Sequence, residues 1–249
     1  MPYLALGAIT MYYLAAGEGP TITLLHGAAL TIETNWSNQI PIFSRKYKIV
    51  AIDLRGHGRT NNPSNILNYD IMTRDVVKFL EKLKIGKTHL VGFSMGGMIA
   101  ARIALDHPEL VKTLVLCSSG YNVSKEGLDL FAMSVNPKLL EANQELADFY
   151  RRIHRSNGPE YWKQLLALLI KSSKGHKISL PVLSRINVPT LIVVGDSDPY
   201  GFTEQAIEMC GAIKGSELAV FPNTSHMVPN NKSKLFNETV MDFLERRGS

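Results

Sequence analysis

The segment Thr88–Gly97 carries a serine between glycines directly after an apolar stretch. The apolar residues predict a strand over Thr88–Val91, and helical spacing of apolar residues predicts a helix over Met95–His107. A serine on a tight turn between strand and helix stands clear at the carboxyl edge of a sheet. The free N–H groups of the following helix suit a developing oxyanion. This pattern indicates nucleophilic catalysis by Ser94.

The glycines around Ser94 fit this geometry. Gly92 and Gly96 leave room for the turn, because a Cβ at either position would collide with the neighbouring strand or helix. Gly97 stands where the helix and the sheet are expected to pack closely. The alternative is a glycine-rich turn that merely needs a small residue, so the hypothesis depends on partners for the serine elsewhere in the chain.

A serine hydroxyl needs a base to take its proton and an acid to orient that base. Of the seven histidines, His226 lies in a loop between the last predicted strand and the last predicted helix, where loops surround the site of a parallel sheet. Two acids, Asp196 and Asp198, follow the strand Leu191–Val194. We favour Asp198, which lies further into its loop, while Asp196 is suited to capping. The expected catalytic residues are therefore Ser94, Asp198 and His226.

Strand and helix patterns alternate along the chain, which favours a mostly parallel sheet with helices on both faces. The predicted strands are Thr10–Leu14, Thr21–Leu25, Lys48–Ile52, Thr88–Val91, Thr113–Cys117, Pro189–Val194 and Leu218–Phe221. The predicted helices outside residues 121–185 are Trp36–Phe43, Ile71–Leu83, Met95–His107, Thr203–Cys210 and Ser233–Leu244.

Residues 121–185 interrupt this alternation and contain helical stripes of apolar residues without a convincing strand. We expect a single domain whose core comprises residues 1–120 and 186–249, with residues 121–185 inserted as a helical lid.

Composition places the chain in a broad class. It has 249 residues, 45% of them hydrophobic, and a formal net charge of +5, which suits one large domain without a strongly basic surface. It has no 18-residue apolar run, no signal-peptide pattern and only two cysteines, in separate segments. We expect a cytoplasmic protein that binds neither nucleic acid nor membranes, a monomer or homodimer.

Four motifs resemble the α/β-hydrolase superfamily over nearly the whole chain: Leu25-His26-Gly27-Ala28, Asp53-Leu54-Arg55-Gly56-His57-Gly58, Gly92-Phe93-Ser94-Met95-Gly96-Gly97 and Gly195-Asp196-Ser197-Asp198. The spaced His226 completes the set. The chain is most similar to the group of serine carboxylesterases, enol-lactonases and cofactor-free perhydrolases. The resemblance implies a mostly parallel eight-stranded sheet flanked by helices, with a helical lid insertion.

The resemblance also implies roles for other residues. The main-chain N–H groups of Ala28 and Met95 would form the oxyanion hole, with Ala29 as the alternative to Ala28. The turn Asp53–Gly58 would be structural, so His57 is not expected to be catalytic. No metal or organic cofactor is implied.

The expected activity is hydrolysis of a small-molecule carboxylic ester of small to medium acyl chain through an acyl-enzyme. A lactonase, a carbon–carbon bond hydrolase and a perhydrolase or acyltransferase use the same residues and remain alternatives, as does a ligand receptor without turnover. Carbon–carbon bond hydrolases commonly place tryptophan after the catalytic histidine, where this chain has Met227. The motifs leave the physiological substrate open.

Substrate choice is expected to rest on residues 121–185. The residues proposed to line the pocket are Phe131, Met133, Phe149, Tyr161, Trp162 and Met227. The basic residues Arg151, Arg152 and Arg155 are available for a substrate carboxylate, but none is singled out by its position.

Overall fold

The computed structural model describes residues 2–248 and is built on one eight-stranded sheet. Its strands are β1 (Tyr3–Leu6), β2 (Ile9–Ala16), β3 (Thr21–Leu25), β4 (Lys48–Ile52), β5 (Thr88–Phe93), β6 (Val111–Cys117), β7 (Thr190–Gly195) and β8 (Glu217–Phe221). They lie in the order β1-β2-β4-β3-β5-β6-β7-β8. The pairs β1–β2 and β2–β4 are antiparallel, and β3 to β8 run parallel. The carboxyl ends of six strands therefore meet at one edge, as the predicted fold class requires.

The structure has twelve α-helices among residues 2–248. They are α1 (Ile32–Trp36), α2 (Ile40–Phe43), α3 (Tyr69–Lys82), α4 (Met95–Asp106), α5 (Lys125–Ser134), α6 (Pro137–Glu141), α7 (Gln144–Ile153), α8 (Tyr161–Ser173), α9 (Leu180–Leu183), α10 (Phe202–Ala212), α11 (Val228–Asn231) and α12 (Ser233–Arg247). None of these helices has the length and apolar character needed to cross a membrane.

The sheet separates two hydrophobic clusters, and the alternation of side chains along each strand divides residues between them. On β6, Leu114 and Leu116 belong to the cluster that contains α3, α4 and α10, while Val115 and Cys117 belong to the cluster that contains α1, α2 and α12. Because β5 and β7 are buried along their whole length, their sequences are nearly continuous apolar runs. These two strands end at the residues that could do chemistry.

All seven strands predicted from the sequence are present, and the eighth, β1, is the one implied by the family resemblance. The helix predicted over Trp36–Phe43 is wrong, because the chain forms α1 and α2 with a turn between them. Pro41 lies in the first turn of α2. A proline has no N–H and its ring clashes with the carbonyl four residues earlier, so α1 cannot continue through it.

Between β6 and β7 the chain forms the five helices α5–α9 and no strand, apart from an isolated bridge between Asn122 and Lys177. The helical character predicted for residues 121–185 is therefore present. We refer to residues 121–185 as the inserted segment.

Candidate active site

Ser94 occupies a strained turn between β5 and α4, with φ 52° and ψ −117°. Non-glycine residues rarely adopt this region, and they do so mainly where the surrounding structure enforces it. A Cβ on Gly96 would overlap the carbonyl oxygen of Leu25 on β3, and a Cβ on Gly92 would overlap the backbone of α4. Both collisions match the sequence prediction. A Cβ on Gly97 would lie 2.7 Å from Ser119 Cβ. Helix α4 therefore also packs closely against the chain that follows β6.

The three expected catalytic side chains come from loops that follow β5, β7 and β8 and meet at one point. His226 Nε2 lies 3.0 Å from Ser94 Oγ. His226 Nδ1 lies 2.9 Å from Asp198 Oδ2. The Asp198 side chain is fully buried, and its Oδ1 accepts a hydrogen bond from the Tyr200 N–H at 3.0 Å. Because a carboxylate can only accept, His226 carries its proton on Nδ1 and presents Nε2 as the acceptor for the Ser94 hydroxyl.

Aromatic rings surround His226 on several sides. Tyr200 packs edge-on at 4.7 Å between ring centroids, Phe93 lies at 5.1 Å and Phe202 at 5.8 Å. These contacts restrict the imidazole to the orientation in which both of its nitrogens have partners.

Asp196 has a different position from Asp198. It is exposed, and its carboxylate accepts hydrogen bonds from the N–H groups of Asn223 at 2.9 Å and Thr224 at 3.2 Å. Its closest donor is the Ser197 hydroxyl at 2.7 Å. These bonds lower the pKa of the Asp196 carboxyl, with the Ser197 hydroxyl as the largest cause. Asp196 thus holds the loop that leads to His226 without contacting the histidine ring.

The residues 27–30, which we call the oxyanion loop, follow β3 and face Ser94 across the cavity. Within residues 2–248, the N–H groups of Ala28 and Met95 have no hydrogen-bond acceptor. The Ala29 N–H instead donates to His57 Nε2 at 3.2 Å. Ala28 and Met95 are therefore free to bind an oxyanion, whereas the alternative donor Ala29 is already engaged.

Histidine side chains set the orientation of the oxyanion loop. His26 Nδ1 donates to the Gly27 carbonyl at 2.7 Å, and His26 Nε2 accepts from the Leu54 N–H at 2.9 Å. The Gly27 carbonyl and the Ala28 N–H belong to one trans peptide and point in opposite directions. The bond from His26 therefore turns the Ala28 N–H away from the protein interior. His57 likewise bonds only backbone groups, at Arg55 and Ala29, in keeping with its expected non-catalytic role.

Five buried histidines have a lowered pKa in the folded protein, and burial is the largest cause for each. The pKa falls to about 4 for His57, His89 and His176 and to about 3 for His154, and it is also lowered for His26. Their ordinary pKa is 6.5. Below that pH the unfolded chain binds protons that the folded protein does not, so folding stability falls as the pH falls.

We therefore expect the free energy of unfolding to change little between about pH 6.5 and pH 8 and to drop from pH 6.5 to pH 4. Each histidine contributes up to about 1.4 kcal/mol for each pH unit. Urea denaturation at a series of pH values measures this slope. His176→Gln should flatten the slope, because it removes one of the histidines whose pKa burial lowers. Equal stability at pH 7 and pH 5 would contradict the expectation.

Ser94 and His226 open onto a cavity of about 220 Å³ that the core and the inserted segment enclose together. The core side contributes Tyr69, Phe93, Met95, Met98, Tyr200, Phe202 and Met227, together with residues 28–30. The inserted segment contributes Val123, Phe131, Ser134, Val135, Tyr150, Leu169, Ser172 and Ser173. Among the described residues that line the cavity, none is an aspartate, glutamate, lysine or arginine.

Two of the six predicted pocket residues, Phe131 and Met227, line this cavity. The other four lie outside it, and that part of the prediction is corrected. Met133 is 64% exposed and Trp162 is completely buried in the core, with its ring stacked on Tyr150. Phe149 packs edge-on against the ring of the same tyrosine, and the Tyr161 hydroxyl lies beside Gly56.

Sequence reasoning missed several lining residues. Met98 lies one helical turn after Ser94, so α4 brings it to the same face, and this spacing was a usable signal. Tyr200 directly follows the Asp198-Pro199 pair. Tyr69 and Ser172 come from elements distant in sequence, and no local pattern distinguishes them from ordinary core residues.

A family model described as the alpha/beta hydrolase fold matches residues 20–159, more than half of the chain. The chain belongs to the α/β hydrolase family. With this fold and family, the protein is a hydrolase.

Relatives in the family differ in their reactions. The chain is 27% identical to the 2-hydroxy-6-oxo-6-(2'-aminophenyl)hexa-2,4-dienoic acid hydrolase of Metapseudomonas resinovorans, over 97% of this chain and 89% of that protein. The enol-lactonase of Burkholderia xenovorans superposes with a TM-score of 0.82 at 23% identity, covering 98% of this chain and 100% of the other. A carboxylesterase structure from Nitrososphaera gargenis gives a TM-score of 0.84 at 21% identity, with 99% of each chain covered. At these identities the two structures share the fold with this chain.

Proposed function

We propose that this hydrolase cleaves uncharged carboxylic esters of small to medium acyl groups through an acyl-enzyme on Ser94. The observation that carries the proposal is a hydrogen-bonded Ser94, His226 and Asp198 opening onto a cavity without a charged lining residue. The cavity volume of about 220 Å³ is below the roughly 300–1,000 Å³ typical of sites for drug-sized ligands. We also propose that the inserted segment acts as a lid over this site.

In the first half of the reaction, His226 Nε2 accepts the Ser94 hydroxyl proton as Oγ attacks the ester carbonyl carbon. The N–H groups of Ala28 and Met95 stabilise the resulting oxyanion. Asp198 holds the proton on His226 Nδ1 and stabilises the imidazolium. The imidazolium then donates its Nε2 proton to the leaving alkoxide oxygen, which leaves as an alcohol.

In the second half, water takes the place of the alcohol. The water oxygen attacks the acyl carbon while His226 accepts a proton from the water. The tetrahedral intermediate then collapses, and the bond between the acyl carbon and Ser94 Oγ breaks. His226 returns the proton to Ser94 Oγ, which releases the carboxylic acid and restores the enzyme.

The uncharged cavity favours neutral esters and neutral lactones over carboxylate substrates. The relative from Metapseudomonas resinovorans is named for a dienoic acid, and a substrate of that kind carries a carboxylate. A buried carboxylate without a cationic partner is strongly unfavourable. Arg151 pairs with Asp148 and Glu160, and neither it nor Arg152 or Arg155 lines the cavity. This distribution of charge disfavours the carbon–carbon bond hydrolase alternative for acidic substrates.

A pair of esters with matched chain length tests both parts of the proposal. p-Nitrophenyl butyrate and mono-p-nitrophenyl succinate each present a four-carbon acyl group, but only the succinate carries a carboxylate. We expect kcat/KM for the butyrate to exceed that for the succinate by about 100-fold or more, because the carboxylate is desolvated without a counter-ion. Within a series from acetate to palmitate, turnover should peak at short chains. Preference for the succinate, or no turnover of any ester or lactone, would refute the proposal.

A further inference from the structure

We propose that His154, which belongs to the inserted segment, is a positioning residue that holds the oxyanion loop in its active geometry. The inference rests on the proposed function, because it takes Ala28 as an oxyanion donor. It makes the inserted segment part of the reaction machinery as well as a cover for the cavity.

His154 directly follows α7 and is completely buried. Each of its ring nitrogens forms a hydrogen bond to the core of the protein. Nε2 lies 3.2 Å from the Ala29 carbonyl oxygen, to which it donates. Nδ1 accepts a hydrogen bond from the Gly58 N–H at 2.9 Å. Since one partner is an acceptor and the other a donor, the ring is neutral with its proton on Nε2. The ring thus bridges the oxyanion loop and the turn after β4.

Ala29 is held from both of its backbone groups. Its N–H donates to His57 Nε2, and its carbonyl accepts from His154 Nε2. Its φ of 60° lies in the left-handed region, which alanine adopts at a cost unless its surroundings enforce it. The two histidines therefore fix the residue that directly follows Ala28, while His26 fixes the peptide that carries the Ala28 N–H. Without the hydrogen bond from His154, the Ala29 carbonyl is no longer held in place.

The same histidine is packed against the wall of the cavity. The ring of Tyr150, which lines the cavity, stacks on His154 with 6.4 Å between centroids and an interplanar angle of 11°. The His154 N–H donates to the Tyr150 carbonyl at 3.2 Å. His154 thus joins the part of the inserted segment that lines the cavity to the oxyanion loop.

Three variants at His154 separate its two hydrogen bonds. His154→Gln places an amide N–H near the position of Nε2 and preserves a donor for the Ala29 carbonyl. His154→Asn places an amide oxygen near Nδ1 and preserves only an acceptor for Gly58, and His154→Ala removes both. His176→Gln is the matched control: His176 is also buried in the inserted segment, and its Nε2 also donates to a backbone carbonyl, that of Gly120 at 3.1 Å.

The readouts are kcat and KM for p-nitrophenyl butyrate, and inhibition by butylboronic acid, which forms a tetrahedral adduct with an active serine. Because the oxyanion exists only beyond the ground state, His154→Ala and His154→Asn should lower kcat about 10- to 100-fold with KM within about twofold. The boronic acid should bind less tightly by a similar factor. His154→Gln should recover most of kcat, and His176→Gln should match the wild type. All are compared at a temperature where circular dichroism shows the variant to be folded.

Two results would overturn the inference. One is a His154→Asn enzyme with kcat equal to that of His154→Gln, because the bond to Gly58 would then suffice. The other is an unchanged affinity for the boronic acid in a variant with lowered kcat. Absence of ester turnover by the wild-type enzyme would instead count against the proposed function, so the two failures are distinguishable.

Discussion

Replacing Ser94 with alanine is expected to lower kcat by roughly 10⁴- to 10⁶-fold, the scale of single substitutions in serine hydrolase triads. Alanine removes the nucleophile and leaves the backbone turn, since Gly92 and Gly96 still accommodate it. The residual rate would come from the oxyanion donors and substrate positioning, which act without the serine. KM should change little, because the hydroxyl contributes mainly to the transition state.

Steady-state hydrolysis of p-nitrophenyl butyrate measures this loss. Ser119→Ala is the matched control, because Ser119 also follows a central strand but is buried and lies outside the lining of the cavity. Its activity should equal that of the wild type. A Ser94→Ala enzyme that keeps more than a few per cent of kcat would remove Ser94 from the mechanism.

Replacing Asp198 with asparagine is expected to lower kcat by about 10⁴-fold. The asparagine side chain lacks the charge that stabilises the imidazolium, and it no longer fixes the proton on His226 Nδ1. The structure supplies a matched comparison two residues away. Asp196→Asn keeps an acceptor for only one of the two N–H groups, those of Asn223 and Thr224, that bond to different carboxylate oxygens, and it does not touch His226. Its kcat should fall by less than about tenfold, with a lower thermal midpoint as its main effect.

The contrast between the two aspartates is measured on the same ester under the same conditions, with thermal unfolding followed in parallel. If Asp196→Asn were the severe variant and Asp198→Asn the mild one, the orienting acid would be Asp196. Similar losses in both variants would show that the loop as a unit controls His226, and the assignment of Asp198 would fail.

Much of this fold was predictable because its strands carry continuous apolar sequences and its turns carry specific residues. The Ser94 turn is an example, since Gly92 and Gly96, two residues before and two residues after the serine, leave few alternatives for the backbone. The loop positions of Asp198 and His226 were predictable for a related reason: parallel strands bring the residues that follow them to one edge. The prediction of a single helix over Trp36–Phe43 was wrong, because Pro41 prevents α1 from continuing into α2.

The pocket was less predictable, because some helices of the inserted segment also carry exposed apolar residues, such as Leu130, Met133 and Leu139. Trp162 and Tyr150 both suggest substrate contact by residue type, yet one ring is in the core and the other lines the cavity. Which face a helix turns toward the site depends on tertiary packing and not on its own periodicity. The bonds of His154 to Ala29 and Gly58 span about a hundred residues in sequence, so no local pattern indicated them.

The central claim is that Ser94 is the nucleophile, and covalent labelling tests it most directly. The wild-type protein is incubated with an alkyl fluorophosphonate, which phosphonylates an activated serine and is not turned over, and the modified peptide is located by mass spectrometry. We predict complete loss of esterase activity with one phosphonyl group on Ser94, and no labelling of Ser94→Ala or of His226→Ala under the same conditions. Inactivation with the label on another residue, or full activity with Ser94 unmodified, would contradict the account.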